Sequence, residues 1–179
     1  MKRNNIVHYT LELIVILGYL VLGVTLLTYI IQKVPMDRVF IGFILIADGV
    51  IALTNYFTWR YSIRIKNIQC IVASLLTAAL GVVLVLVDME PSLLCIILGS
   101  SCIGFSILRI TTSVMNLTRQ PLLNSIKTIL SITEIVFSIL LIIRTVNSLT
   151  AHMTFVGIAF AVEAFTLLVE FIVHRYQGI

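Results

Sequence analysis

Six apolar stretches, each close to the length that crosses a bilayer, follow one another along the chain with short polar breaks between them. A membrane-spanning helix needs about 20 mostly apolar residues. The stretches cover approximately 7–31, 39–57, 68–87, 93–115, 122–143 and 153–173. The breaks carry proline, aspartate, asparagine and charge: Gln32 to Arg38, Asp88-Met89-Glu90-Pro91, and Arg144-Thr145-Val146-Asn147-Ser148. Such residues favour turns and water. Composition decides the solvent. Of 179 residues 60% are hydrophobic and 11% charged, whereas a soluble domain carries about a quarter charged residues. One water-soluble core of this size cannot bury so much apolar surface; in lipid the outward positions are apolar too. The sequence thus predicts an all-α, polytopic membrane protein, a single transmembrane domain over 1–179 with the lipid bilayer as its partner. Lys2 and Arg3 resemble the basic start of a signal peptide, but the apolar stretch that follows is too long for one and no small-residue cleavage site follows it. It is read as a retained first helix.

Lysine and arginine set the orientation. Lys2, Arg3, Arg60, Arg64, Lys66, Arg109, Arg119, Lys127 and Arg175 fall on the side of the N-terminus, the second and fourth connectors and the C-terminus; Lys33, Arg38 and Arg144 fall on the other. Nine against three predicts both termini in the cytoplasm. The net charge of +4 is therefore a topology signal and does not point to nucleic acid, since no basic patch forms. Tyr56, Trp59, Tyr61 and Tyr176 lie near cytoplasmic helix ends, where aromatic belts sit. The glycosylation acceptor Asn116-Leu117-Thr118 falls on the cytoplasmic side and is discounted.

A two-helix unit recurs three times, at about 7–57, 68–115 and 122–173. In the odd helices Gly23, Gly81 and Ser138 match at spacings of 58 and 57 residues. In the even helices Gly42, Gly99 and Gly157 match at 57 and 58. A fixed period of this kind signals repeats. Units of two helices share one orientation, related by an axis along the membrane normal, which predicts a six-helix bundle with approximate threefold pseudo-symmetry. Gly23, Gly42, Gly49, Gly81, Gly99, Gly104 and Gly157 are expected at helix–helix contacts, with Ala73, Thr77, Ser100 and Ala161 extending the four-residue spacing of small residues.

Tandem hairpins, glycines at matching places, proline-marked turns and basic connectors resemble the HdeD-like membrane proteins. The resemblance runs from about residue 11 to 171, on Gly18, Gly23, Gly42 and Gly49 in the first unit and Gly81, Gly99 and Gly104 in the second. The third unit departs from the pattern, with Ser138 and Ala164 in place of glycine and Asn147 in place of a turn proline. The resemblance implies a bacterial inner-membrane protein involved in tolerance of acid stress, without catalytic residues. Mitochondrial carriers share three hairpins but are far longer, and Pro35-Met36-Asp37-Arg38-Val39-Phe40 fails their signature at its basic position.

The informative residues are ionisable groups at depth, where a charge costs on the order of 3 kcal/mol and normally faces the bundle interior. Asp48, Glu134 and Glu163 lie near the middles of the second, fifth and sixth stretches, with Ser131 and Ser138 on the helix face of Glu134. Asp48 and Glu163 each follow their unit's matching glycine by six residues, and Phe105 holds that place in the second unit. Desolvation and like charge favour the neutral acid. Two readings stand: the three form a proton-responsive cluster, or each is a neutral acid bonded to the next helix as packing glue. No basic residue is expected at comparable depth; Glu12, Arg109, Lys127 and Glu170 are read as interfacial, with Glu170 and His174 a surface pair.

Cys70, Cys95 and Cys102 read as small buried hydrophobes, and His8, His152 and His174 are too scattered for a metal site. No phosphate loop, His-Glu-x-x-His or Gly-x-Ser-x-Gly occurs. No cofactor, metal or enzymatic activity is expected. The alternative to an acid-tolerance protein is a small proton-linked transporter or channel using the buried carboxylates. Homo-oligomers and other membrane proteins remain open as partners.

Overall fold

The computed structural model describes residues 2–34, 37–58, 68–115, 121–144 and 146–177. Trp59, Arg60, Tyr61, Arg64, Lys66, Arg119, the turn residues Pro35 and Met36, and the Asn116-Leu117-Thr118 acceptor lie outside them. So do the side chains of Lys2, Arg3, His8, Glu170, His174, Arg175 and Tyr176, and with them the expected Glu170–His174 pair.

Six helices follow in order: α1 Lys2–Ile31, α2 Arg38–Thr58, α3 Ile68–Leu86, α4 Pro91–Met115, α5 Pro121–Arg144 and α6 Val146–Gln177. No strand occurs among the described residues. Five helices are long and apolar enough to cross a membrane, through Tyr9–Ile31, Arg38–Phe57, Pro91–Thr111, Asn124–Arg144 and Leu149–Val169. The apolar part of α3, Cys70–Leu86, is shorter. The outer surface suits lipid: Val21, Phe43 and Phe165 are 60%, 59% and 65% exposed at mid-helix, where a water-soluble protein would be polar.

Local chemistry explains the helix ends. Pro91 and Pro121 each open a helix, the position where a missing N–H is no loss. At the end of α1 the Lys33 N–H donates to the Ile30 carbonyl and the Val34 N–H to the Tyr29 carbonyl. Lys33 takes the left-handed conformation, with φ 54°. This is a Schellman closure. Arg38, at the start of α2, donates to the carbonyls of Leu84 and Val87 at the end of α3 and pairs with Asp88. A cation there complements the negative helix terminus. The expected break at 144–148 is shorter than the sequence suggests, because α6 already begins at Val146.

Successive helices run antiparallel. Tyr29 stacks on Phe40 at 3.9 Å across the α1–α2 turn, and Phe137 stacks on Phe155 at 5.1 Å between α5 and α6. Tyr9 meets Phe171 at 6.1 Å, so the start of α1 and the end of α6 lie at the same end of the bundle. The most extensive packing is between α2 and α3, α4 and α5, and α1 and α6; α3 and α4 barely touch. Each of the three close pairs meets where side chains are smallest. A Cβ built on Gly81 would come 2.6 Å from the Gly42 carbonyl oxygen, and one on Gly42 2.8 Å from that of Gly81. On Gly99 it would come 2.8 Å from the Ser138 carbonyl oxygen, and on Gly23 2.9 Å from that of Gly157. Gly157 in turn receives Leu27, and Gly49 lies against the backbone of Ser74 and Ala78. Helices in lipid associate largely through such close approach. Gly104 corrects the expectation: a Cβ there would meet nothing within 4 Å. It is exposed and lies about 160° around α4 from the fully buried Ser106, at 100° per residue.

At the end of the bundle away from the termini, the interior is apolar. Leu26, Ile41, Leu84, Leu94, Cys95, Leu98, Leu141 and Met153 form one buried layer drawn from all six helices. A second cluster, with Val15, Tyr19, Ile44, Phe160 and Leu167, joins α1, α2 and α6.

Candidate functional site

Toward the termini from the apolar layer the interior turns polar. Glu12, Asn55, Ser74, Thr77, Ser106, Ser113, Ser131, Ser138 and Thr166 are all buried. Several hydroxyls are satisfied within their own helix: Ser131 donates to the Lys127 carbonyl, Thr77 to that of Ala73 and Ser74 to that of Cys70. Main-chain bonding of this kind lets a small polar residue sit in an apolar setting.

The charged groups lie in this polar part. Arg109 Nη1 of α4 is 3.4 Å from Glu134 Oε2 of α5, and Lys127 Nζ of α5 is 3.5 Å from Glu163 Oε1 of α6. Asp48 of α2 is close enough to Arg109, Glu134 and Glu163 to interact with each electrostatically. Tyr19 of α1 also acts on Arg109. The three carboxylates singled out in the sequence are therefore brought together, each from a different helix.

The expectation that no base lies at their depth is corrected. Arg109 and Lys127 read as interfacial in the sequence because each lies within a turn or two of a helix end, where a long side chain can snorkel; in the structure each is six residues from one, about 9 Å along the axis. A long side chain spans that gap if it turns inward. The antiparallel register supplies the partner: ten residues from Phe137 toward the start of α5 lies Lys127, and eight residues on from Phe155 lies Glu163. Glu12 is buried against its neighbours, three residues into the first apolar span Tyr9–Ile31. A helical-wheel reading of α4 could have found Arg109, since Cys95, Leu98, Cys102, Ser106, Arg109 and Ser113 recur at inward-facing spacing.

Accessibility separates the two pairs. The Glu134 side chain is 12% exposed while that of Arg109 is 51% exposed; Lys127 and Glu163 are 17% and 29% exposed. Arg109 thus touches the carboxylate cluster yet stays half accessible. Asp48 is the contrasting member: among the described residues its buried Oδ1 has no hydrogen-bond partner, and neither has Ser106 Oγ.

Beside this cluster Cys102 Sγ of α4 lies 3.7 Å from His152 Nε2 of α6. Among the described residues no three His, Cys, Asp or Glu side chains converge as a metal site. No family model matches the chain, and no curated protein or solved structure matches it.

Proposed function

We propose that this chain is a six-span bacterial inner-membrane protein of the HdeD-like kind, with both termini cytoplasmic, whose interior charges couple it to the proton concentration. It acts without a cofactor and without catalysing a covalent reaction. The observation that carries the proton-linked reading is the convergence of Asp48, Arg109, Glu134 and Glu163 from four helices onto one interior region. Ionisable groups at membrane depth are expensive, and their usual roles are proton relay and ion passage.

The threefold repeat belongs to the same proposal. Its support is the pairing of the matching positions: Gly42 meets Gly81, Gly99 meets Ser138 and Gly157 meets Gly23. The even-helix position of each unit thus packs on the odd-helix position of the next, and the third closes on the first. On the same count Tyr19, Thr77 and Glu134 are equivalent, and all three turn inward. Under this reading α3 crosses the membrane as its counterparts do.

A second reading, a carrier or channel for a small solute, is favoured by one observation, the half-exposed Arg109 within the charged interior. The test for the first is survival at low pH of cells lacking the gene, complemented by native protein or by equally expressed Asp48→Asn, Glu134→Gln, Glu163→Gln protein. Native protein restores survival and the triple variant does not. Equal rescue by both removes the role of the carboxylates; rescue by neither removes acid tolerance. Solute uptake by vesicles holding the native protein, but not an Arg109 variant, would shift the reading to the carrier.

A further inference from the structure

The three interior carboxyls are not equivalent. Glu134 has the guanidinium of Arg109 and Glu163 the ammonium of Lys127. No ion pair forms at Asp48 among the described residues, and its Oδ1 is buried with no donor. Three negative charges against two positive leave one negative charge over. A lone carboxylate in a poorly solvated interior is costly enough that it takes up a proton instead.

The groups facing Asp48 from every surrounding helix agree. Cys70 is the one titratable residue of α3. On α1, Tyr19 acts on Arg109, and Glu12 lies two turns nearer the chain ends with an interaction of its own. On α4 stand Cys102 and Arg109, on α5 Lys127 and Glu134, and on α6 His152 and Glu163. Both cations are engaged by glutamates. His152, the remaining candidate for a positive charge, is buried against Cys102 and lies in no ion pair among the described residues.

We propose that Asp48 alone carries the exchangeable proton of this interior, while Glu134 and Glu163 stay ionised as fixed partners of Arg109 and Lys127. This rests on the proton-linked reading and narrows it to one group and one proton. The step is hydronium plus Asp48 carboxylate giving water plus the Asp48 carboxylic acid, with no bond changed elsewhere. Half-exposed Arg109, electrostatically coupled to both Asp48 and Glu134, is the group whose position reports the change: when Asp48 loses its proton, Arg109 gains a second carboxylate.

Infrared difference spectroscopy on purified full-length protein in lipid nanodiscs, stepped through pH, tests this. Above the background of the exposed acids Asp37, Asp88 and Glu90 and the histidines, native protein shows one pH-dependent protonated-carboxyl band from the interior, and a pH-indicator dye counts one proton more per chain than in Asp48→Asn. Asp48→Asn loses the band and the proton, while Glu134→Gln and Glu163→Gln each keep it. Asp48→Glu, which retains a carboxyl if the Asn form misfolds, keeps the band at a shifted frequency; an unshifted band overturns the assignment. If the band survives Asp48→Asn but disappears in either glutamine variant, the assignment to Asp48 fails and the proton-linked reading stands. If native protein shows no pH-dependent band, both fail.

Discussion

Glu134 lies in an ion pair with Arg109 and Asp48 in none among the described residues, and unequal responses to amide substitution follow. Glu134→Gln leaves Arg109 inside the bundle without its carboxylate. Breaking a fully buried pair costs about 3–5 kcal/mol; with half of Arg109 exposed, a loss of about 1–2 kcal/mol is expected. Removing the cation as well, in Arg109→Met with Glu134→Gln, recovers most of it, because an uncompensated buried charge is worse than none. Asp48→Asn preserves shape and, on the proposed assignment of the proton to Asp48, replaces a neutral acid by a neutral amide, so its stability changes by less than about 1 kcal/mol. Reversible unfolding of the four proteins in mixed micelles ranks them; an Asp48→Asn form less stable than Glu134→Gln contradicts the charge assignment.

Helix pairs in this bundle are set by backbone approach, and that makes glycine substitutions informative. Gly81→Ala and Gly42→Ala place a Cβ 2.6 and 2.8 Å from a backbone oxygen of the facing helix. Backbone cannot move aside as a side chain can, so each costs about 1–3 kcal/mol. Gly18→Ala meets only the far end of Ile51 at 2.9 Å, which can rotate away, and the change is mild. Gly104→Ala meets open space and stays within about 0.5 kcal/mol of native. Thermal unfolding in one detergent orders them Gly81 and Gly42 far below native, with Gly18 and Gly104 close to it. A Gly104 variant as damaged as Gly81 would mean that a face shown open here is covered in the membrane.

At the scale of the bundle, an apolar layer at one end and a charged interior at the other make the molecule asymmetric. Cys95 is fully buried in the layer, whereas Cys102 lies partly accessible beside the charges. In vesicles at alkaline pH, single-cysteine proteins retaining Cys102 react slowly with a small membrane-impermeant thiol reagent applied from the side that holds the termini, and those retaining the fully buried Cys95 react more slowly still. Labelling of Cys102 only from the opposite side would reverse the polarity proposed for the interior. Reporter fusions at the two ends of the chain locate that side, and cytoplasmic signals from both are expected.

Apolar stretches of bilayer length and proline-marked breaks were enough to predict six helices and their approximate bounds, because desolvating a backbone leaves a helix as the solution available to one isolated segment. The 57- and 58-residue spacings of Gly23, Gly81, Gly42, Gly99 and Gly157 were equally legible. Their partners were not: that Gly42 packs on Gly81 and Gly23 on Gly157 depends on which helix faces which, a choice made between elements and not within one. Gly104 shows the limit, since a small residue at the right spacing turned outward. The same holds for charge. Sequence depth identified Asp48, Glu134 and Glu163, but assigned Arg109 and Lys127 to the interface. Only the antiparallel register of α4, α5 and α6 brought those long side chains inward to Glu134 and Glu163, because an ion pair is decided by the distance between two helices.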